Sequence, residues 1–548
     1  MLLTLGFIIW IANPFEHYIL SWDVFGYYLY LPAIFIHHDL FLNDLSSVEQ
    51  VLETYKNAPA LYQVNQTLNG NVIRYPIGMA LLYFPFFILG HFSAWLLDFP
   101  MDGFSAPYNF WINISSLVYV LAGILLSYRA IRIWFKPTTS IITLLLVYLG
   151  TNLFHSITET WGMPHIYLFA FYSALIIVTH NWLLNPNWRN GLLLGLVLGL
   201  MVVARPSEVV AVFIPLLMGI ERGWMLQVIK IKNALIKSNY ASLLGGIIPV
   251  ALQLVYWKIS SGSFFFDSYN NSSEGFDFLS PHTTDYLFSF RKGWLIYTPM
   301  AAFLLSSTVW ALVKKKSNAL MVAVYMTATI YLLSSWSTWW YGDGFSQRSI
   351  VESLAVLLIP TAHAIDALLR SKPHQKGIVA VIVLSIVTLN LFQTWQVRND
   401  IIHTSRMTKQ AYLAVFGKLE APPNYEELLS VDRFSVIFDS LNYLPVKAFN
   451  LLDKPSQLED EKQTFSQKSV LSYQELTRRD HVWIENRITV SSINTDKIVL
   501  VSHFTHRGKT THYRTKEIEF DHVVDSALSF KQHYLTPDLR SVEDEFVT

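Results

Sequence analysis

A single carboxylate, Asp23, stands in the segment SWDVFGYYLYLPAIFIHHDL, between an apolar N-terminal stretch and a dense aromatic and aliphatic run. In a soluble protein, an aspartate at such a place is most often a helix N-cap or a turn residue. In a membrane protein, a carboxylate beside an apolar segment is costly and usually has a function, for example at the mouth of a cavity. The class of the protein therefore decides between a capping role and a functional role for Asp23.

The composition is typical of a membrane protein. The 548 residues are 52% hydrophobic and only 15% charged, whereas an average soluble chain is roughly 25% charged. Its 17 Trp, 28 Tyr and 36 Phe suit membrane interfaces and sugar-stacking surfaces. The formal net charge is zero and no basic block stands out, so nucleic acid is not an expected partner. Cysteine is absent, which excludes disulfides, thiolate metal sites and cysteine nucleophiles.

Apolar runs long enough to cross a bilayer, about 20 residues each, recur up to about residue 396. The clear runs are 108–128, 138–157, 163–184, 241–257, 293–313, 319–335, 350–369 and 377–395. The stretch 191–220 suits two short helices, broken at ARPSE by Arg205 and Pro206. The start MLLTLGFIIWIA has no basic n-region or cleavage site, so we expect a retained first span. Together these runs predict eleven spans.

The run 77–97 is a candidate for a twelfth span, but the positive-inside rule favours an interfacial or re-entrant helix. With eleven spans, the basic loop residues from Arg129 to Lys376 gather on one face of the membrane. This topology places the N-terminus in the cytoplasm and the C-terminus outside. The segments 21–107, 156–164, 261–292 and 335–349 then share the outer face with Arg205, and we expect them to converge there.

The composition changes beyond about Arg398, so the sequence predicts two domains, 1–396 in the membrane and 397–548 outside it. The stretch HVWIENRITVSSINTDKIVLVSHFTHRGKTTHYRTKEIEF alternates polar with β-branched or apolar residues, as about three strands do. NYEELLSVDRFSVIFDSL is typical of a helix. We therefore expect a small α+β or β-rich extracytoplasmic domain, with a packing role as its simplest function.

Several sequence blocks resemble the GT-C superfamily of membrane glycosyltransferases, which includes the protein mannosyltransferases and the aminoarabinose transferases. SWDVFGYYLYLPA and VIRYPIGMALLYFPFF resemble its first outer loop. LFHSITETWGMPHIYLFAF, GLVLGLMVVARPSE, LFSFRKGWLIYTPM and WSTWWYGDGFSQRS resemble blocks of uncharacterised bacterial members. The resemblance covers about residues 1–396 and implies a polytopic helical enzyme of the bacterial inner membrane. Such an enzyme transfers a sugar, with inversion, from a polyprenyl-phosphate donor to a glycan, lipid or protein acceptor on the outer face.

The resemblance implies a role for Asp23 as the essential acidic residue after the first span, acting as a base or a metal ligand. Glu159 matches a second acidic residue that binds metal or acceptor in several members. Asp23, Glu159 and His165 would together suit a divalent ion such as Mg²⁺, Mn²⁺ or Zn²⁺. For His165 alone, a satisfied interface residue is the simpler alternative.

A leaving polyprenyl phosphate needs cations, and sugars bind through aromatic faces and hydrogen bonds. The residues expected to contact substrate are Arg74, Tyr75, His165, Arg205, Tyr269, Glu274, Arg291, Trp339, Asp343 and Arg348. Arg205 is the strongest of the cations because it interrupts an apolar stretch and would be costly there without a partner. Snorkelling to lipid headgroups, a plain connecting loop and an aromatic belt are the alternatives for these residues.

Two other function classes stay open. A polymerase or ligase of lipid-linked glycans would rely on long outer loops rich in Arg and His rather than on an early aspartate. A transporter or flippase would need paired broken helices or inverted repeats, and these are not evident beyond the break at Arg205. The absence of an ion-coupling carboxylate buried in the middle of a span also argues against a transporter. The chain has no P-loop, G-x-S-x-G elbow or H-E-x-x-H motif, so direct use of ATP and those hydrolase mechanisms are not expected.

Overall fold

The structure is a computed structural model that describes residues 17–56, 63–67, 70–221, 232–268 and 275–430. Beyond these it describes 470–472, 475, 483–490, 497–506, 509–519, 528–535 and 544–547. The chain divides into two compact units. The first comprises 1–269, 277–405 and 415–421, and the second comprises 270–276, 406–414 and 422–548.

The first unit is almost entirely helical. It begins with α1 (Trp22–Tyr28), α2 (Tyr30–Phe35), α3 (Ser46–Tyr55), the antiparallel hairpin β1 (Val64–Thr67) and β2 (Gly70–Ile73), and α4 (Gly78–Leu96). It continues with α5 (Ala106–Arg132), α6 (Pro137–Gly150), α7 (Leu153–Glu159), α8 (Pro164–Leu184), α9 (Trp188–Ala204), the 3-10 helix η1 (Pro206–Val212), α10 (Phe213–Glu221) and α11 (Lys232–Ser261). It ends with α12 (Thr283–Phe288), α13 (Trp294–Tyr297), α14 (Met300–Val313), α15 (Ala319–Ser334), the 3-10 helix η2 (Arg348–Ser353), α16 (Leu354–Leu369) and α17 (Pro373–Arg398).

Among the described residues, six helices are long and apolar enough to cross a membrane. They are Gly78–Leu96, Ala106–Arg132, Pro164–Leu184, Lys237–Ser261, Arg348–Leu369 and Pro373–Arg398. The pair α6 and α7, bent by 66°, makes a seventh if it is one span, and α9, α14 and α15 are shorter apolar helices. The protein is therefore a mostly helical, multi-pass membrane protein, as the composition predicts.

Two segments of the structure bear on the predicted topology. The helix α4 coincides with the run 77–97 that the charge distribution assigned to the interface, yet its 19 residues are long and apolar enough to span. The run 138–157 was predicted as one span, whereas the structure has two helices joined at a bend. The Asn390 side chain donates to the carbonyls of Leu149 and Thr151 at 2.9 and 3.0 Å. It thereby satisfies backbone groups that the bend leaves without helical partners.

A seam of glycines packs α9 against α11. Gly191, Gly195 and Gly199 recur every four residues and therefore lie on one face of α9. A Cβ atom at Gly195 would lie 1.8 Å from the Ser242 carbonyl oxygen, and one at Gly191 would lie 2.1 Å from the Ser238 carbonyl oxygen. The two backbones are thus closer than any side chain allows, which is how small residues join helices in membranes.

The first loop is fixed to this helix pair. A Cβ atom at Gly78, the first residue of α4, would lie 2.2 Å from the Ala204 nitrogen at the end of α9. From α11, the Gln253 side chain accepts the Ile77 N–H at 2.7 Å. The hairpin that leads into α4 is therefore positioned by α9 and α11 together, next to the break at Arg205.

The second unit contains nearly all of α18 (Lys409–Val415), the short helix α19 (Tyr425–Leu428) and the strands β3 to β8. Strands β3 (Val470–Ser472), β5 (Lys497–His506), β6 (Lys509–Glu519) and β8 (Asp544–Val547) form an antiparallel sheet in the order β3-β8-β5-β6. Strands β4 (Trp483–Val490) and β7 (Leu528–Leu535) pair separately. The alternating stretch of sequence contains β4, β5 and β6. The helix expected over 424–441 is seen only as α19, and its residues from 431 onward lie outside the described residues.

Candidate active site

Asp23 lies in the first turn of α1, whose N-cap is Ser21. Its Oδ2 is 3.2 Å from Nη2 of Arg348, and its Oδ1 accepts a hydrogen bond of 2.7 Å from the Tyr75 hydroxyl. The side chains of Asp23 and Arg348 are 27% and 23% exposed. Asp23 is thus not the cap of its helix but half of a partly exposed ion pair that joins residues 325 positions apart.

Tyr75 is held tightly against α1. A Cβ atom at Gly26 would lie 2.3 Å from the Tyr75 ring, so only glycine permits this approach. The rings of Tyr27 and Tyr75 lie 4.4 Å apart, and the Tyr30 hydroxyl donates to the Tyr75 carbonyl at 2.7 Å. These contacts fix the direction of the phenol that hydrogen-bonds to Asp23.

Contacts link all four segments that the sequence assigns to the outer face. The pairs are Tyr83 with Gly162, Asp23 with Arg348, and Lys292 with Gly342 and Gly344. Arg205 joins them through Nη1, which donates to the Ser349 carbonyl at 3.0 Å. The predicted convergence of these segments is therefore present in the structure.

A buried carboxylate, Glu352, lies behind the Asp23–Arg348 pair in η2. Only 1% of Glu352 is exposed. Its Oε2 is 3.0 Å from Nδ1 of His165, and its Oε1 accepts a hydrogen bond from Arg205. Because Arg348 opens the same short helix, the ion pair at the surface and the buried cluster share one structural element.

Arg205 also faces a second carboxylate. Its Nη1 is 3.8 Å from Oε1 of Glu208, a residue that is 4% exposed. The Tyr172 hydroxyl donates to the other oxygen of Glu208. Arg205 therefore bonds to one carboxylate and lies near a second, and these supply the partners that the apolar surroundings of this arginine require.

Lys292 stabilises the loop that leads to Arg348. The side chain is buried, and its Nζ donates to the carbonyls of Gly342, Gly344 and Thr404. Burial, followed by the charge of Arg348, lowers the pKa of Lys292 well below its usual range. The three carbonyl acceptors oppose that shift, because only the ammonium form has three N–H donors.

We expect Lys292→Met to destabilise the protein, because methionine fills similar space but leaves three carbonyls without their donor. Loss of these bonds corresponds to about 3 kcal/mol or more. The measurement is the thermal unfolding midpoint of the purified protein in detergent, with Lys237→Met, at an exposed position of α11, as the control. Equal midpoints for Lys292→Met and wild type would contradict the role of Lys292 in stabilising this loop.

The tryptophan-rich loop is less open than the sequence suggests. Trp339 is fully buried, so its indole presents no face to a sugar in this structure. The Arg291 guanidinium carbon lies 3.7 Å from the ring centroid of Trp340, a cation–π contact. Asp343 is exposed and accepts a hydrogen bond of 3.2 Å from Thr404. Asp343 is thus more accessible than the buried Trp339.

The three predicted metal ligands do not come together. Asp23 pairs with Arg348, and His165 pairs with Glu352. Glu159 lies at the end of α7, with Oε1 3.8 Å from Nη1 of an arginine of α17, Arg398. Over the part of the chain that the structure describes, no group of three or more His, Cys, Asp or Glu side chains is arranged to hold a metal ion. The residues predicted to bind a divalent ion therefore do not fit one.

The remaining predicted contacts are partly visible. Arg74 is half-buried, directly before Tyr75, and its N–H donates to the Gln63 carbonyl at 2.8 Å. Tyr269 and Glu274 lie outside the described residues.

The sequence analysis missed the two buried glutamates, Glu352 and Glu208. A signal for them existed, since a carboxylate within or beside an apolar run needs a partner just as Arg205 does. Glu352 lies near the start of the candidate span Arg348–Leu369, rather than in its middle.

Comparison with known proteins adds a likeness in fold. No family model and no curated protein matches the chain. The apo crystal structure of ArnT from Cupriavidus metallidurans is similar, with a TM-score of 0.43 and 13% identity over 68% of this chain and 60% of that one. For the same protein bound to undecaprenyl phosphate, the TM-score is 0.44 and the identity 15%, over 70% of this chain and 62% of that one.

The chain spans about three-fifths of the length of the ArnT structures that it matches. TM-scores below 0.5 describe a loose likeness, from which neither a substrate nor a site residue follows.

Proposed function

We propose that this protein is an integral-membrane glycosyltransferase. It takes a sugar from a polyprenyl-phosphate donor and transfers it to a glycan, lipid or protein acceptor on the outer face of the bacterial inner membrane. The observation that carries the proposal is the partly exposed Asp23–Arg348 pair, which offers a carboxylate and a guanidinium 3.2 Å apart beside apolar helices. A carboxylate can accept a proton, and a guanidinium suits phosphate. The sequence blocks that resemble GT-C enzymes include both residues.

In this reaction the acceptor oxygen or nitrogen attacks the anomeric carbon of the sugar from the face opposite the phosphate. The bond from that carbon to the phosphate oxygen breaks, and its electron pair stays on the leaving polyprenyl phosphate. Asp23 takes the proton of the acceptor, and Arg348 neutralises the charge that develops on the phosphate. The hydrogen bond from Tyr75 holds the Asp23 carboxylate in place.

Arg348, rather than Arg205, is the proposed phosphate ligand. Arg205 already faces Glu352 and Glu208, so a phosphate would gain little net positive charge there. Arg348 is more exposed than Arg205, 23% against 14%, and it contacts Asp23 directly. The donor phosphate would replace the Asp23 carboxylate at the Arg348 guanidinium, which also frees Asp23 for the acceptor.

The test is the transfer of radiolabelled sugar from a panel of polyprenyl-phosphate donors by purified wild type and Arg348→Ala. We expect wild type to consume one donor and Arg348→Ala to raise the KM for it by about 10- to 100-fold, since hydrogen bonds to charged groups are worth about 1.5–3 kcal/mol. Parallel reactions with EDTA test for a divalent ion. An unchanged KM would contradict the role of Arg348, and loss of transfer in EDTA would require metal ligands other than the predicted three.

A transporter or flippase is the second candidate, and the buried carboxylates Glu208 and Glu352 favour it, because such groups serve ion coupling in membranes. Their pairing with Arg205 weakens this argument, since a coupling carboxylate must exchange its ion. Proteoliposomes that contain the purified protein separate the two functions. Movement of lipid-linked sugar without any covalent change would support the transporter and overturn the transferase.

A further inference from the structure

The 3-10 helix η2 carries both Arg348 and the buried Glu352. Arg348 opens the helix and reaches Asp23, while Glu352 follows four residues later and points into the protein interior. A 3-10 helix of six residues is short and has poorer hydrogen-bond geometry than an α-helix. Its orientation must therefore be set by contacts with neighbouring elements.

Those contacts converge on Glu352 and its neighbours. The two carboxylate oxygens of Glu352 hold His165, at the start of α8, and Arg205, at the end of α9. Arg205 returns to the same helix through its bond to the Ser349 carbonyl. Glu352 thus connects η2 to α8 and to the end of α9. Arg205 also bonds to η2 at Ser349, the residue next to Arg348.

Two buried tyrosines from other helices also contact η2. The Tyr286 hydroxyl of α12 lies 2.9 Å from the Ser349 hydroxyl, and the Tyr325 hydroxyl of α15 lies 2.8 Å from the Ser353 hydroxyl. Both are neutral hydrogen bonds, which are about half as strong as charge-assisted ones. Glu352 therefore provides the strongest attachment of the helix that presents Arg348.

We infer that Glu352 is a positioning residue of the transferase: by holding His165 and Arg205, it fixes η2 so that Arg348 meets the donor phosphate beside Asp23. This role rests on the proposed function. Glu352 is not a member of the Asp23–Arg348 ion pair and acts on the phosphate only through Arg348. Substitution of Glu352 should consequently weaken phosphate binding only while Arg348 is present.

The test is a double-mutant cycle on the equilibrium binding of radiolabelled undecaprenyl phosphate to purified protein in detergent. The variants are Glu352→Gln, Arg348→Ala and the double variant, each taken from the folded fraction after gel filtration. We expect Glu352→Gln to weaken binding by about 10-fold when Arg348 is present and by less than 2-fold when it is alanine, because residues that act through one group are not additive. Asp39→Asn, at a carboxylate of the first loop whose side chain accepts hydrogen bonds from Asn43 and Asp44, should leave the Kd within 2-fold of wild type.

If Glu352→Gln does not fold, Tyr286→Phe loosens η2 more gently, and we expect it to weaken binding by about 3-fold only in the presence of Arg348. Equal factors in both backgrounds, or no change in either, would overturn the positioning role and leave the proposed function standing. A wild type that does not bind undecaprenyl phosphate would overturn both.

Discussion

Asp23→Asn is expected to abolish sugar transfer while it strengthens the binding of undecaprenyl phosphate. Asparagine keeps the size of the side chain but cannot accept the proton of the acceptor, so the rate should fall by about 10²- to 10⁴-fold. The variant also removes the anion that lies 3.2 Å from Nη2 of Arg348. A partly exposed ion pair of this kind is worth at most about 1 kcal/mol, so the Kd should fall by up to about 5-fold.

The two effects are measured separately, by transfer from the donor that wild type consumes and by equilibrium binding of undecaprenyl phosphate. Asp39→Asn is the control, because Asp39 lies in the same loop but accepts hydrogen bonds from Asn43 and Asp44. Full transfer by Asp23→Asn would show that the base lies elsewhere. A weaker affinity in this variant would show that Asp23 does not compete with the phosphate for Arg348.

The elements of this site were predictable from the sequence one by one. Asp23, Arg205 and Arg348 each stand beside apolar runs, where a charge is costly and needs a reason. Their pairing was not predictable, because Asp23 meets Arg348 across 325 positions and hydropathy carries no information on which helices are neighbours. Arg205 is therefore the strongest of the phosphate ligands predicted from the sequence, whereas the structure places two carboxylates beside it.

The bend between α6 and α7 likewise could not be predicted from hydropathy. Residues 138–157 are apolar on average and were predicted as one span, but the structure bends this segment by 66°. The side chain that supports the bend, Asn390, comes from α17, about 240 residues later. A window that averages hydrophobicity over 20 residues detects that a segment is apolar but not that a distant amide accommodates its break. The predicted eleven spans remain a prediction for the same reason.

The Gly195→Leu substitution is expected to prevent folding. A Cβ atom at this position would lie 1.8 Å from the Ser242 carbonyl oxygen of α11, and a backbone carbonyl cannot move aside without parting the helices. Gly377→Leu, in α17, is the matched control, because a Cβ atom there meets nothing within 4 Å. We expect a monodisperse gel-filtration peak in detergent for Gly377→Leu and aggregated or degraded protein for Gly195→Leu.

The effect should extend to the candidate active site, because α9 ends at Ala204 and the next residue, Arg205, holds Glu352. Gly195→Ala adds only one methyl group to the glycine seam, so we expect a fraction of this variant to fold with α9 displaced. That fraction should bind undecaprenyl phosphate more weakly than wild type, since a shift of Arg205 releases η2 and with it Arg348. Wild-type binding by folded Gly195→Ala, together with a lowered unfolding temperature, would mean that the seam stabilises the protein without aligning the site.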